Sequence, residues 1–472
     1  MSQPVPDDAP PAAFSRTIPL IVAATFFMEL LDGSIVTTSL PAIAATFGEP
    51  PLTLAASISV YLVAMAVFVP TAGWASERFG ARRLFAGAVT VFTLASLLCG
   101  LSPSVEALIA ARALQGIAAA FMAPVGRLIV LRETPKHRII DAIAMITWPA
   151  LIAPVLGPPL GGFITTYASW RWIFLINLPL GVLGVLLVLR FVPRHDETVK
   201  TPFDAVGFLL TAVALAASIQ GLLSLGEGGA DRYAGASLVA LGAVAGIAAV
   251  RHARSHPSPM LDLSAVAVRT FAFCTVTGGV LSRIAINTGP FLLPLMFQIG
   301  FGRSAFEAGG MLFVYMLGNL AAKSVTTPIL RRFGFRRVLV GNGLVGAAAI
   351  AGCGLLSPDV AMPAVYAVLL AAGLTRSMHF TSLATLAFAD ISPGQRAGAS
   401  ALVSTMQQVA MAVAVAFAAT ALALFVDLRG GSDLVLADFR HALFAAAALM
   451  AVGALLALRL PKDAGAEVSR RG

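Results

Sequence analysis

The chain has 472 residues, of which 58% are hydrophobic and only 12% are charged. A soluble protein of this length needs far more polar surface to cover its core, so the composition excludes a soluble enzyme or binding domain. The net charge of +9 is compatible with a nucleic-acid partner until the positions of the basic residues are considered.

Apolar runs of roughly 20 residues, each long enough to cross a bilayer as a helix, recur along the chain. They predict an all-α polytopic membrane protein. We place fourteen transmembrane spans at approximately 18–40, 54–73, 84–101, 105–130, 142–167, 172–191, 205–225, 235–250, 271–298, 306–328, 338–356, 361–388, 398–426 and 437–458.

The basic residues are distributed unequally between the loops on the two sides of these spans. With a cytoplasmic N-terminus, the cytoplasmic segments hold 22 of the 32 lysines and arginines, and the opposite loops hold five. This asymmetry is the positive-inside pattern, and it predicts that both termini are cytoplasmic. The charge therefore indicates orientation and an attraction to anionic membrane lipid, and we predict no nucleic-acid partner.

The first span contains two acidic residues, Glu29 and Asp32, the only two of the 23 acids that we place in the interior of a span, away from its ends. They are three residues apart and therefore share one face of a helix. A low-dielectric setting and a like-charged neighbour both favour the neutral form of a carboxyl group, so at least one of the two is predicted to bind and release protons near neutral pH. The alternative is a static ion pair that fixes helix packing.

An internal repeat divides the chain. "SERFGARRLFAG" at 76–87 aligns without gaps with "LRRFGFRRVLVG" at 330–341, an offset of 254 residues. Such a parallel repeat predicts two six-helix halves, with two helices inserted between them. The predicted divisions are the N-terminal tail 1–17, the first half 18–191, a linker 192–204, the inserted helices 205–250, a linker 251–270, the second half 271–458 and the C-terminal tail 459–472.

Further polar and aromatic residues lie in the predicted spans. Arg283 follows Glu29 by the repeat offset, so we expect it to pair with Glu29 or Asp32 in one state, or to contact an anionic substrate. The other candidates for the substrate cavity are Asn287, Arg376, His379, Trp148, Tyr61 and Tyr315. The alternatives are interhelical hydrogen bonds for the polar residues and ordinary packing for His379 and the aromatic residues.

Several motifs together resemble one family. They are "LLDGSIVTTSLP" at 30–41, "GWASERFGARR" at 73–83, "ARALQGIAAAFMAPVGR" at 111–127, "APVLGPPLGGFI" at 153–164 and "WRWIFLINLPLG" at 170–181. The chain resembles, over nearly its whole length, the major facilitator superfamily, and within it the fourteen-span drug:proton antiporters of the EmrB/QacA type. It departs from the family motifs at Glu77, where aspartate is usual, and at Ser34, Thr37 and Thr38 in the first-helix motif.

The resemblance implies roles for the motif residues. It implies that Asp32 acts in cation recognition and proton coupling, and that Arg112 belongs to the proton relay. It implies that a cytoplasmic gate is latched in the outward-open state by Gly73, Glu77, Arg78, Gly80, Arg82 and Arg83. It ties the fifth-helix residues Gly157, Pro158, Gly161 and Gly162 to antiport, whereas the residue types alone predict only a kink and close packing. In the gate, Gly73 is expected to allow close helix approach and Gly80 a tight turn.

These observations predict a proton-coupled exporter of amphiphilic drugs or lipophilic cations in the bacterial inner membrane, with alternating access between the two halves. One alternative is an exporter of an organic anion such as citrate or an iron chelate; another is a non-transporting sensor or scaffold. We find no Walker A, CxxC, HExxH or GxSxG pattern, so we predict no enzyme activity, no cofactor and no metal. Membrane lipid, protons and a small-molecule substrate are the predicted partners. The oligomeric state is left open, and a monomer is compatible with the sequence.

Overall fold

The structure is a computed structural model that describes residues 16–194, 202–225 and 230–466. Most of the predicted N-terminal tail 1–17, residues 195–201 of the predicted linker 192–204, and residues 467–472 of the predicted C-terminal tail lie outside the described residues. The described chain is almost entirely helical. This agrees with the all-α prediction.

Fourteen long helices follow the predicted spans in order within the described residues. They are α1 (Thr17–Thr38), α2 (Ala55–Phe79), α3 (Ala81–Gly100), α4 (Val105–Glu133), α5 (Asp141–Tyr167), α6 (Trp172–Phe191), α7 (Ala205–Leu225), α8 (Arg232–Ser255), α9 (Arg269–Gly300), α10 (Ala305–Phe333), α11 (Phe335–Gly354), α12 (Met362–Ala389), α13 (Gly398–Arg429) and α14 (Leu436–Arg459). Shorter helical segments, such as Leu40–Phe47, connect them.

Thirteen of these helices, in the part of the chain that the structure describes, are both long and apolar enough to cross a membrane. The exception is α12, which has 28 residues but carries Arg376 and His379 near its middle. Polar residues inside a bundle lower the mean hydropathy of a helix without shortening it. Helix α12 packs against α10 and α11 within the bundle, as a membrane-crossing helix of this fold would.

The internal repeat is reproduced in the backbone. Gly80, between α2 and α3, has φ of 82°, and Gly334, between α10 and α11, has φ of 75°. Side chains strain this conformation, so glycine permits each tight turn. Next to each turn an arginine caps the end of a distant helix: Arg82 donates to the Leu189 carbonyl near the end of α6, and Arg336 donates to the Leu458 carbonyl near the end of α14 at 2.6 Å.

The helices pack as two groups with a third, smaller one. Helices α1 to α6 contact one another, and so do α9 to α14; we refer to these groups as the first half and the second half. The halves meet mainly where α5 packs on α10 and where α2 packs on α13. The inserted helices α7 and α8 pack chiefly on each other, and α7 also contacts α2 and α13. The inserted pair therefore lies beside one of the two seams between the halves.

The halves close on each other at the end where α5 ends and α10 begins, which we call the outer end. The backbone nitrogen of Phe306 donates to Thr166 Oγ1 at 3.1 Å, and the Phe306 and Tyr167 rings lie 5.8 Å apart. A Cβ atom at Gly162 would clash with the backbone of Ala305, and one at Gly309 with that of Pro158. Close packing of small residues is how transmembrane helices gain van der Waals contact without a hydrophobic driving force.

Candidate functional site

A cavity of about 350 Å³ lies between the two halves. Helices α1, α2, α4 and α5 form one wall, and α9, α10, α12 and α13 form the facing wall. The lining extends from Thr37, near the closed outer end, to the exposed Lys323, near the opposite end that carries the arginine-rich loops. We call that opposite end the basic end. The cavity is closed at the outer end and opens towards the basic end.

The first-half wall contains a buried ion pair between Asp32 on α1 and Arg112 on α4. Arg112 Nη1 lies 2.6 Å from Asp32 Oδ2, and each residue is only 1% exposed. The other carboxylate oxygen, Oδ1, accepts from Gln115 Nε2 at 2.9 Å and from Asn177 Nδ2 at 2.8 Å. Both oxygens of Asp32 are therefore satisfied, as a buried charge requires.

Arg112 is fixed by more than its ion pair. Its Nη1 also donates to Gln115 Oε1 at 2.6 Å, one turn further along α4. The guanidinium carbon lies 4.2 Å from the centre of the Tyr61 ring and 5.8 Å from that of Phe174. Cation–π contacts of this kind strengthen when they are desolvated. Arg112 thus connects α4 to α1, α2 and α6. Arg112 lines the cavity, whereas its partner Asp32 is not among the lining residues.

Glu29 has a different environment, although it lies one helical turn from Asp32. It lines the cavity, it is 5% exposed, and its Oε2 atom is buried without a hydrogen-bond partner among the described residues. An ionised carboxylate in this setting would lose hydration without gaining a partner. The geometry therefore favours a neutral Glu29 carboxyl group in this conformation, next to a fully paired Asp32.

The second-half wall is basic. Arg376 on α12 donates from Nη2 to Asn287 Oδ1 at 3.2 Å and from Nε to the Ile286 carbonyl at 3.3 Å, and no carboxylate lies within ion-pair distance among the described residues. Lys323 on α10 donates to Thr381 Oγ1 at 2.9 Å. Asn287, Arg376 and Lys323 all line the cavity. One wall thus carries a carboxyl group and the other carries two uncompensated cations.

Four predicted cavity residues lie elsewhere. Arg283 is 2% exposed and is not among the lining residues; it contacts the Phe380 ring at 5.1 Å, and neither terminal nitrogen has a partner among the described residues. In this conformation it pairs with neither Glu29 nor Asp32, because Phe380 lies between it and the cavity. His379 is buried with an unpartnered Nδ1 atom, Tyr315 borders a separate small void, and Trp148 is 61% exposed outside the cavity lining.

Two residues of the site were missed in the sequence. Asn177, within the motif at 170–181, donates to Asp32. The sequence feature that could have identified it is an amide side chain in an otherwise apolar stretch. Lys323 is not among the predicted cavity residues, because a lysine close to the end of a span can snorkel to the membrane interface, but it lines the cavity and donates to Thr381. A cation two turns from the end of a helix is compatible with either position, and only the packing of α10 against α12 distinguishes them.

The gate motif lies at the basic end. Gly80 makes the predicted tight turn. At Gly73, however, no described atom of another helix lies within 4 Å of a Cβ position, so the expected close helix approach there is wrong for this conformation. Glu77 is exposed and forms no ion pair or hydrogen bond with the described residues. Arg78 and Arg83 border a groove between α3 and α4, and Arg82 caps α6. Among the residues that the structure describes, the charges of this motif form no bond between the two halves in this conformation.

The fifth-helix motif packs closely, as predicted, but does not interrupt the helix. Helix α5 continues through its four internal prolines. Cβ atoms at Gly157 and Gly161 would clash with Ser34 and with the Ile35 carbonyl, both on α1, and Gly162 faces Ala305 on α10. The glycines therefore bring α5 against the helix that carries the acids and against the opposite half.

Comparisons with known proteins agree with this architecture. A family model described as the Major Facilitator Superfamily matches residues 22–415. "Putative multidrug resistance protein MdtD" of Escherichia coli O6:H1 is 36% identical over 461 residues, and its namesake from Escherichia fergusonii is 36% identical over 464 residues; each match covers 96% of both chains.

Solved structures show the same fold at low sequence identity. The POT family transporter PepTSo has a TM-score of 0.68 at 12% identity, covering 96% of this chain and 98% of that one. A D-xylose–proton symporter has a TM-score of 0.64 at 14% identity, with coverages of 95% and 98%.

Proposed function

Because this chain belongs to the major facilitator superfamily and is a multi-pass membrane transporter, we propose that it exports amphiphilic compounds across the bacterial inner membrane in exchange for protons. The observation that carries the proposal is Glu29: an unpaired carboxyl group inside a cavity that lies between two halves. The name of its 36%-identical relatives, which refers to multidrug resistance, supports a drug-like cargo.

Glu29 and Asp32 have different roles in this proposal. Asp32 stays ionised because Arg112, Gln115 and Asn177 satisfy it. Glu29 has no such partners, so its charge depends on whether a proton or a cationic group of the cargo is present. Cargo that enters from the basic end displaces the proton from Glu29, and a proton that enters from the outer end displaces the cargo. The two ligands compete for one group, which is the requirement for exchange.

The remainder of the lining suits amphiphilic cargo. Most of it is apolar, and it includes Met65, Met316 and Met411. Methionine side chains are flexible and polarisable, so surfaces rich in them adapt to ligands of different shape. A cavity of about 350 Å³ lies within the usual range for sites that hold drug-sized molecules. These features favour a broad range of cargo over a single metabolite.

The proposed exchange can be measured in everted membrane vesicles that carry a pH-gradient dye. Respiration acidifies the lumen, and we expect added tetraphenylphosphonium to restore dye fluorescence only when the protein is present, since each cation that enters the lumen releases protons from it. Vesicles from the same strain without the protein are the control. Equal responses from both vesicle preparations, across a panel of amphiphiles, would contradict proton-coupled export.

A second candidate function, export of an organic anion, is favoured by the basic wall. Arg376 and Lys323 face the cavity without carboxylate partners among the described residues, and together they outnumber Glu29. If the cargo is an anion, its carboxylates replace the weak contacts that these cations now make. Such a cargo does not compete with a proton for Glu29, so this candidate requires a coupling step other than the competition proposed for cationic cargo.

Replacement of Arg376 with Gln separates these two candidates. We expect the variant to lower citrate-driven proton release by about tenfold or more, the equivalent of one charge-assisted hydrogen bond, and to leave the response to tetraphenylphosphonium unchanged. Arg303→Gln, on a half-buried residue at the outer end that does not line the cavity, is the matched control. No citrate response in the wild type, or an equal loss for both compounds, would exclude the anion as cargo.

A further inference from the structure

Two histidines and an aspartate converge at the base of the inserted helix pair, remote from the central cavity. Asp204 immediately precedes α7; His252 lies in the last turn of α8, and His256 follows one turn later. One potential ligand atom from each residue lies within 4.8 Å of the other two. The geometry points to a binding site for one divalent transition-metal ion, of the Zn²⁺ class, held by Asp204, His252 and His256.

Backbone hydrogen bonds hold the Asp204 carboxylate in a fixed orientation. It is 8% exposed, its Oδ1 accepts from Gly207 N at 2.8 Å, and its Oδ2 accepts from Met260 N at 3.0 Å. Burial opposes ionisation, but these two bonds and the contact with His252 outweigh it and lower the pKa of the Asp204 carboxyl. Each carboxylate oxygen accepts two hydrogen bonds, so Oδ2 retains one free position. Backbone donors that orient a carboxylate in this way are typical of the outer shell of metal sites.

The two imidazoles converge on the same carboxylate. His252 Nε2 lies 2.8 Å from Asp204 Oδ1, and the centres of the His252 and His256 rings are 5.0 Å apart. His256 lies one residue beyond α8, but its backbone nitrogen still donates to the His252 carbonyl at 2.9 Å. This continued turn places the two histidines on one side, the arrangement that allows both to bind one metal ion. His256 Nδ1 accepts a hydrogen bond from Ser258 N at 3.2 Å in an exposed position. When Nδ1 binds the metal ion instead, a water molecule can accept the hydrogen bond from Ser258 N.

A purely structural account explains only part of this cluster. Asp204 caps α7 through Gly207 and ties down the chain at Met260, which accounts for its burial. That role needs neither histidine. Two imidazoles and one carboxylate are the ligand set that selects zinc, nickel, cobalt or copper over magnesium or calcium, and three protein ligands leave a fourth tetrahedral position for water. A bound ion would join α7, α8 and the linker to the second half at one point.

Calorimetric titration with ZnCl₂ tests the inference on the full-length protein, purified in detergent with an affinity tag that contains no histidine. We expect one equivalent to bind and to raise the unfolding temperature, because an ion that binds only the folded state stabilises it. His256→Ala should weaken binding by about tenfold or more. His137→Ala, which removes an exposed histidine outside the cluster, should bind as the wild type does.

A second variant, His252→Gln, leaves the capping of α7 by Asp204 unchanged. This variant retains a hydrogen-bond donor to Asp204 but removes an imidazole ligand, so folding is preserved while zinc binding is expected to fall by about tenfold or more. Binding should also weaken as the pH is lowered, since only a neutral imidazole can ligate a metal. Failure of the wild type to bind zinc, or equal binding by the wild type, His256→Ala and His252→Gln, would overturn the assignment. Transport measurements do not enter this test.

Discussion

Replacement of Glu29 with Gln is expected to abolish substrate-driven proton release and to weaken the binding of cationic cargo, while the protein still folds. The amide has the shape of the carboxyl group but cannot release a proton. Oε2 makes no hydrogen bond among the described residues, so the substitution removes no bond at that atom, and we expect the free energy of unfolding to change by about 1 kcal/mol or less. The measurement is dye fluorescence in everted vesicles, together with cargo binding to purified protein.

Glu106→Gln provides the matched control for this experiment. Glu106 is exposed in the first turn of α4 and is not among the residues that line the central cavity. We expect normal coupling from this variant and partial coupling from Glu29→Asp, which keeps a carboxyl group but shortens its reach. Undiminished proton release by Glu29→Gln would show that the coupling group is elsewhere, with Asp32 as the next candidate.

Replacement of Arg112 with Ala is expected to lower the free energy of unfolding by about 3–5 kcal/mol, the cost of leaving one buried charge without its partner. Asp32 would retain Gln115 and Asn177 but lose its counter-ion in a site that is 1% exposed. The contact with the Tyr61 ring is lost as well. Thermal unfolding in detergent measures the effect, and transport should be lost because the cavity wall loses the side chain that joins α4 to α1 and α2.

The double variant Asp32→Asn with Arg112→Gln tests the cause of that instability. Since both charges are removed, much of the stability should return, while transport should not. Arg232→Ala is the control: its ion pair with Asp427 is exposed, and its loss should cost about 1 kcal/mol or less. An Arg112→Ala protein as stable as Arg232→Ala would show that the buried pair contributes little to the fold.

The positions of the helices could be predicted from the sequence because the bilayer imposes a length and an apolar composition on each span. The predicted span 105–130 became Val105–Glu133, and 172–191 became Trp172–Phe191. The error is larger at α2, predicted to end at 73 and observed to end at Phe79, since the last turns of that helix extend beyond its apolar stretch. Sequence therefore locates spans well and their polar ends less well.

The candidate site was predictable only within each half. Glu29, Asp32 and Arg112 could be singled out because charged residues are rare inside membrane spans. Arg283 was placed opposite Glu29 by the repeat, yet the two do not meet. A repeat relates positions within the halves, but the packing between the halves determines what faces the cavity. Here Phe380 occupies that surface, and Arg283 lies behind it.

The hydrogen bonds that Arg82 and Arg336 make to distant helix ends have a mechanical consequence. Because Arg82 ties the start of α3 to the end of α6, and Arg336 ties the start of α11 to the end of α14, neither half can splay open at its basic end without losing a bond that belongs to that half alone. Deformation is then directed to the two seams, α5 on α10 and α2 on α13, whose close contacts are largely van der Waals. Each half would then rotate as a rigid body, and the inserted helices would move beside the α2–α13 seam.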